Sequence, residues 1–117
     1  MPFFLILIIV YMYFLKKNFQ RLNFQIILPK LPEDFFMSFY NLMEITLPRT
    51  LLSLPNNCFQ DCVQLQELVI PPNVYEIGFS CFEECTILEK VSIPSKSCIS
   101  SEKIRTIEAL GTELNIC

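Results

Sequence analysis

Apolar and polar residues alternate in three short triplets along the chain: Ile45-Thr46-Leu47, Leu68-Val69-Ile70 and Val91-Ser92-Ile93. The outer residues of each triplet point one way and the middle residue the other, which is the period of a β-strand. Pro48, Pro71 and Pro94 follow directly. Proline has no N–H to extend a ladder, so each strand is expected to stop there. Beyond the proline the apolar spacing lengthens to three: Leu51 and Leu54, then Phe59 and Cys62; Val74 and Ile77, then Phe82 and Cys85. The first pair of each set fits a tight turn or a 3₁₀-like course. The second pair fits a short helical turn with its aromatic and thiol groups facing inward.

These patterns belong to one unit of 23 residues that recurs without insertion, in residues 42–64 and again in 65–87. Residues 19–41 are a degenerate copy. Phe19, Leu22, Phe24, Leu28, Leu31, Phe36 and Phe39 hold its apolar positions, and Gln25 replaces the proline. Residues 88–117 begin a further copy with Leu88, Val91, Ile93 and Pro94, then leave register: Ser97, Ser100 and Arg105 stand at apolar positions. There the run from Ser100 to Leu110 has the marks of a short helix, capped by Ser100 or Ser101 and ended by Gly111. Leu114-Asn115-Ile116 repeats the start of a strand. A fixed period of this length is the signature of a repeat architecture. No unit can bury its own apolar ring, so stacking of neighbours is the expected driving force. Equivalent strands would pair in parallel about 4.8 Å apart, and Phe36, Phe59 and Phe82 would form one aromatic ladder.

The pattern carried by Leu65, Leu68, Ile70, Pro71, Val74, Ile77, Cys81, Phe82 and Cys85, and by their equivalents one unit earlier, resembles the BspA-like (Treponema pallidum type) leucine-rich repeat. Cys58 and Cys81 stand where that family often has alanine. The resemblance implies an α/β repeat: a leucine-rich-repeat solenoid with short parallel strands and irregular, 3₁₀ or short helical return segments. For function it implies protein binding, often at microbial cell surfaces.

Residues 1–18 differ from the rest. Pro2 to Leu15 are almost wholly apolar, and Lys16 and Lys17 follow. As a helix, this run would span roughly 20 Å, short of the roughly 30 Å hydrocarbon core of a bilayer. A secretory signal would want a basic start and a small-residue cleavage site, and neither is present. A short membrane anchor through residues 3–15, with the lysines snorkelling, fits the composition. So does a degenerate repeat or apolar cap. Localisation is accordingly left between membrane or cell surface on one side and cytoplasm on the other.

Composition narrows the chemistry. The 117 residues are 52 % hydrophobic and 18 % charged, with a net charge of −3 and a pI near 4.9. No basic cluster is present, which argues against nucleic acid. Histidine is absent. That removes the usual general base near neutral pH and the partner that would activate a serine such as Ser95, Ser97, Ser100 or Ser101. Two glycines, Gly78 and Gly111, make no phosphate-binding loop. The pairs Cys58/Cys62 and Cys81/Cys85 have a spacing open to structural zinc. The repeat gives a simpler account: Phe39 fills the Cys62 position one unit earlier, so the slot takes a buried apolar group. Cys98 and Cys117 lie outside the pattern. Asp61, Glu83 and Glu84 fall on an outer turn and are expected to be solvated. Neither an enzyme nor a cofactor is expected.

The strand face is the expected binding surface. Arg21, Glu44, Glu67 and Lys90 hold one equivalent position and would stand in a row across adjacent strands. Asn23, Thr46, Val69, Ser92 and Asn115 form the neighbouring row. The function expected is a protein–protein interaction module that binds a protein partner, of unknown identity, through this face. The alternative is a structural piece of a longer repeat protein with no activity of its own, and a small zinc-binding module comes last.

Overall fold

The structure, a computed structural model, describes residues 2–25, 27–93, 99–108 and 113–116. In chain order these form α1 (Pro2–Asn18), β1 (Arg21–Asn23), β2 (Glu44–Thr46), β3 (Ser53–Leu54), β4 (Glu67–Val69), β5 (Glu76–Ile77), β6 (Lys90–Ile93), α2 (Ser101–Glu108) and β7 (Glu113–Ile116). Pro94, Ser95, Ser97, Cys98, Leu110, Gly111 and Cys117 lie outside the described residues.

Two parallel sheets run through the repeats. The first has five strands in the order β1-β2-β4-β6-β7. Its register advances by 23 residues at each step: Leu22 pairs with Ile45, Ile45 with Leu68, Leu68 with Val91, and Val91 with Leu114. The alternating triplets therefore do form the strands, and the expected stub at Leu114 is a full edge strand. Each triplet buries one side. Ile45, Leu68 and Val91 are in the core, while Glu44, Thr46, Glu67 and Val69 are exposed.

The second sheet pairs β3 with β5, Ser53 opposite Glu76 and Leu54 opposite Ile77. The spacing of three at Leu51/Leu54 and Val74/Ile77 points to a turn or 3₁₀ course. The structure has a turn, in which Leu51 N donates to Pro48 O and Val74 N to Pro71 O. It is followed by an extended pair of residues rather than a 3₁₀ segment.

The aromatic and thiol segment also departs from a helical turn. Its residues run through consecutive turns with left-handed backbone at Asp34, Asn57 and Ser80, and again at Ser38, Asp61 and Glu84. Each set recurs at the repeat period. Alternate amides in this segment bond to the next unit: Phe36 N to Cys58 O, Ser38 N to Gln60 O, Phe59 N to Cys81 O and Asp61 N to Glu83 O; those between bond within their own unit, as Met37 N does to Asp34 O and Gln60 N to Asn57 O. The return path thus carries its own inter-unit ladder.

One continuous core joins these layers. Leu42, Leu51, Cys58, Phe59, Cys62, Leu65, Ile70 and Val91 are fully buried. Phe36, Phe59 and Phe82 stack as expected, with ring centroids 5.3 and 6.0 Å apart and planes within 6° of parallel. Phe19 does not take the buried place that Leu42 holds. It is 38 % exposed and packs edge-on against Phe14 of α1. Gly78 stands where units approach closely: a Cβ there would lie 2.4 Å from Asn56 N and 2.5 Å from Pro55 C.

A helix packs near each end of the repeats. Ser100 Oγ accepts from Lys103 N at 3.3 Å, so Ser100 caps α2, and Ile104 and Ile107 pack its inner face on the core. At the other end Met12 and Leu15 of α1 are buried in the core. Asn41 Nδ2 donates to Lys17 O, and Lys16 Nζ lies 5.9 Å from the Tyr40 ring centroid. This end of α1 therefore sits about one repeat before Tyr40 and Asn41, where an earlier unit would stack. No helix among the described residues is long and apolar enough to cross a membrane.

Candidate functional site

The outward face of the five-stranded sheet is the site the fold leaves open. Parallel sheets usually have both faces covered. Here only the inner face meets the core, and the outer face presents a lattice of side chains fixed by the strand register. Its first row is Arg21, Glu44, Glu67 and Lys90, each opposite the next, and Lys90 is followed by Glu113. Sequence reasoning placed the first four together correctly and left out Glu113. The 23-residue offset from Lys90 was the signal that would have found it.

Charge along this row runs plus, minus, minus, plus, minus. Arg21 Nε donates to Glu44 Oε2 at 3.2 Å, with the two side chains 72 % and 62 % exposed. An ion pair this open contributes about 0–1 kcal/mol, so it does little for stability. Glu44 and Glu67 are like charges in direct register. That is an unfavourable arrangement for a fold and a usable one for a partner that brings a cation between them.

The second row is Asn23, Thr46, Val69 and Ser92, and the register continues it to Asn115. Asn23 and Thr46 are exposed and Ser92 half-buried. Val69 is 63 % exposed, an apolar side chain held out between polar neighbours. Between β2 and β4 the two rows border a shallow cleft of about 360 Å³. Glu44, Thr46, Glu67 and Val69 line it on the sheet, and Arg49, Pro71 and Pro72 line it beyond the strand ends. Arg49 and Pro72 were not singled out from the sequence, and Pro71 was read there only as a strand stop and a residue of the repeat pattern. They follow the strands by two or three positions, and only the turn at Pro48 and Pro71 brings them back beside the face. The cleft therefore offers a carboxylate pair on the sheet, an exposed valine, and a cation beyond the strand ends. It has the makings of a contact surface for a peptide or protein side chain.

The thiols form a different constellation. Cys58, Cys62 and Cys81 are buried and Cys85 half-buried. Cys62 Sγ donates to Phe36 O at 3.1 Å, and Cys85 Sγ to Phe59 O at 3.0 Å. The same bond thus recurs one unit apart. Burial pushes the Cys62 and Cys85 thiols up to about 12, and the Cys58 thiol is also raised well above its ordinary value by burial. A thiol so placed is a core group and a weak donor, and it is poorly set to become a thiolate ligand. Among the described residues, no group of three or more Cys, Asp or Glu side chains is placed to hold a metal ion. Glu83 and Glu84 are exposed on the outer turn and Asp61 is half-buried there.

A second cavity of about 310 Å³ lies on the return side, between the turn at Phe79–Glu83 and Glu102, Lys103 and Ile107 of α2. Lys103 Nζ sits 4.4 Å from the Phe79 ring centroid across it.

A family model described as the BspA type leucine-rich repeat region matches residues 8–110 of the chain in six copies. Neither a curated protein nor a solved structure matches it.

Proposed function

The chain belongs to the BspA-type leucine-rich-repeat family, and from that premise we propose that it is a short solenoid that binds a protein partner through the open face of its five-stranded sheet. The observation that carries this reading is the register-fixed face itself. Exposed Glu44, Glu67 and Val69 stand beside Arg49 at one cleft on a sheet side that no other element covers among the described residues. Strands at a fixed spacing hold these groups rigid, so little side-chain and loop ordering is left to oppose binding. The like-charged pair Glu44/Glu67 favours a partner with a lysine or arginine at that point. Val69 favours an apolar group beside it. The module acts by binding; we assign it no reaction.

The reading is tested by comparing two charge-altered proteins in crosslinking and mass spectrometry of native extracts. One carries Glu44→Lys, Glu67→Lys and Val69→Asp on the face. The other carries Glu83→Lys and Glu84→Lys on the return side. Partners crosslinked by the wild type should be lost from the face variant and kept by the return-side variant. Equal crosslinking by all three proteins would remove the sheet face from consideration.

A further inference from the structure

The strongest unexplained surface is on α1. Its Met12 and Leu15 are buried against the stack and Ile8 packs beside them. Between Ile6 and Phe14, every other residue is apolar or aromatic and at least 50 % exposed. At about 100° per residue, these exposed positions sweep an arc of roughly 200° around the helix. The protein thus holds a helix that is apolar or aromatic as far as Leu15 across the end of its repeats and leaves about half of its circumference uncovered. A surface of this kind marks an interaction site.

We infer that α1 lies in the plane of a lipid bilayer, its outer arc among the acyl chains and Lys16 and Lys17 at the headgroups, so that the repeats stand on the membrane. Three observations select lipid over a second copy of the chain. The arc is too wide for one helical partner, whose apolar stripe covers about 100°, whereas a bilayer surface takes in the whole arc at a depth of about 5–10 Å. The two cations of the segment are adjacent at its C-terminal end, and α1 contains no acid. Lys17 Nζ lies 4.7 Å from the Tyr13 ring centroid, which places an amphipathic ring and an ammonium together, the usual pairing at a membrane–water boundary. Spanning is disfavoured by the docking itself. Met12 and Leu15 would have to leave the core, and the 17-residue helix reaches only about 25 Å.

Charge also orients the molecule. Outside α1 the chain has seven bases (nine less Lys16 and Lys17) against twelve acids. An anionic surface therefore attracts the α1 end and repels the remainder. Because α1 covers the end of the stack next to β1, the sheet face stays in solution. The inference stands apart from the sheet-face reading, since it concerns a different surface.

The test is co-sedimentation of the full chain with phosphatidylcholine vesicles, with and without phosphatidylserine, together with sedimentation velocity in the absence of lipid. The wild type should pellet with both vesicle types and more strongly with phosphatidylserine. Ile6→Ser, Val10→Ser and Phe14→Ser together, at the centre of the exposed arc, should lower partitioning at least tenfold with the circular dichroism unchanged. Lys16→Glu with Lys17→Glu should abolish only the phosphatidylserine increment. The face variant Glu44→Lys, Glu67→Lys, Val69→Asp should bind phosphatidylcholine vesicles as the wild type does. Failure of the wild type to pellet would overturn the inference, and so would undiminished binding by the triple serine variant. A wild-type dimer in lipid-free buffer that the serine variant reduces to monomer would assign the arc to a second copy instead.

Discussion

At the residue scale, the cysteines show how a repeat converts a reactive group into a packing group. Cys62 and Cys85 each give their S–H to the carbonyl of the phenylalanine 26 positions earlier, at the same geometry in both units. Phe39 takes the same slot in the unit before and lacks any donor, so the bond is an addition to packing and not its basis. Burial is the main reason the two thiols are pushed up to about 12 from an ordinary value near 9. The consequence for stability has a definite sign. Between those values the folded chain keeps protons that the unfolded chain has released. Stability is therefore full below pH 9 and falls as pH rises from about 9 toward 12. Urea midpoints measured from pH 8 to 11 should decline, and the decline should flatten in a Cys62→Ala, Cys85→Ala protein. An equal slope in the two proteins would show that these thiols do not titrate differently in the two states. At neutral pH the same thiols should resist Ellman's reagent until the protein unfolds.

At the scale of elements, the Phe36–Phe59–Phe82 ladder links three units through one line of contacts. Phe59 has a parallel ring on each side, at 5.3 and 6.0 Å, whereas among the described residues Phe82 has a stacked ring on one side only. Phe36 is a third case, because Phe24, Phe35 and Phe39 meet it edge-on at 5.0–5.4 Å. Truncation of the central ring removes two stacking partners and leaves a cavity enclosed from both sides. Phe59→Ala should cost about 3–5 kcal/mol, and Phe82→Ala should cost less, as read from urea unfolding. A larger loss at Phe82 would contradict the ladder as the link between units. The ladder and the strands were legible in the sequence for the same reason: each is a single residue type or triplet recurring at a fixed offset. The return segments were less so. A two-residue strand such as Ser53–Leu54 is too short to show a period, and its partner is chosen by the stacked unit rather than by local preference. The left-handed positions were hidden too. Asp34 and Asn57 are residue types that favour such backbone, but Ser80 and Glu84 take it without any signal of their own. For the candidate site, the facing rows could be read directly, because register follows from the repeat length. Arg49 and Pro72 could not, because their place depends on how sharply the chain turns after the strand.

For the molecule as a whole, the repeats have a direction. Along the turns of the aromatic and thiol segment, amides of one unit donate toward the next unit, from Phe36 to Cys58 and from Phe59 to Cys81. In this ladder each unit takes bonds on one edge and gives them on the other. The two ends of the ladder are then chemically different. Its first edge presents carbonyls and its last edge presents the amides of Ser80, Phe82 and Glu84, which meet no backbone acceptor among the described residues. Repeat arrays are held by nearest-neighbour contacts, so protection should follow position in the stack. Amide hydrogen exchange by NMR should find Phe36, Ser38, Phe59 and Asp61 slow, since each is bonded across a unit boundary. Phe82 and Glu84 should exchange at least tenfold faster than Phe59 and Asp61, their equivalents one unit earlier, although Phe82 has a buried ring. Burial alone would predict the opposite ranking for Phe82 and the half-buried Asp61. Equal protection at Phe59 and Phe82 would mean that another segment closes the ladder, and the polarity of the stack would then end further along the chain than Glu84.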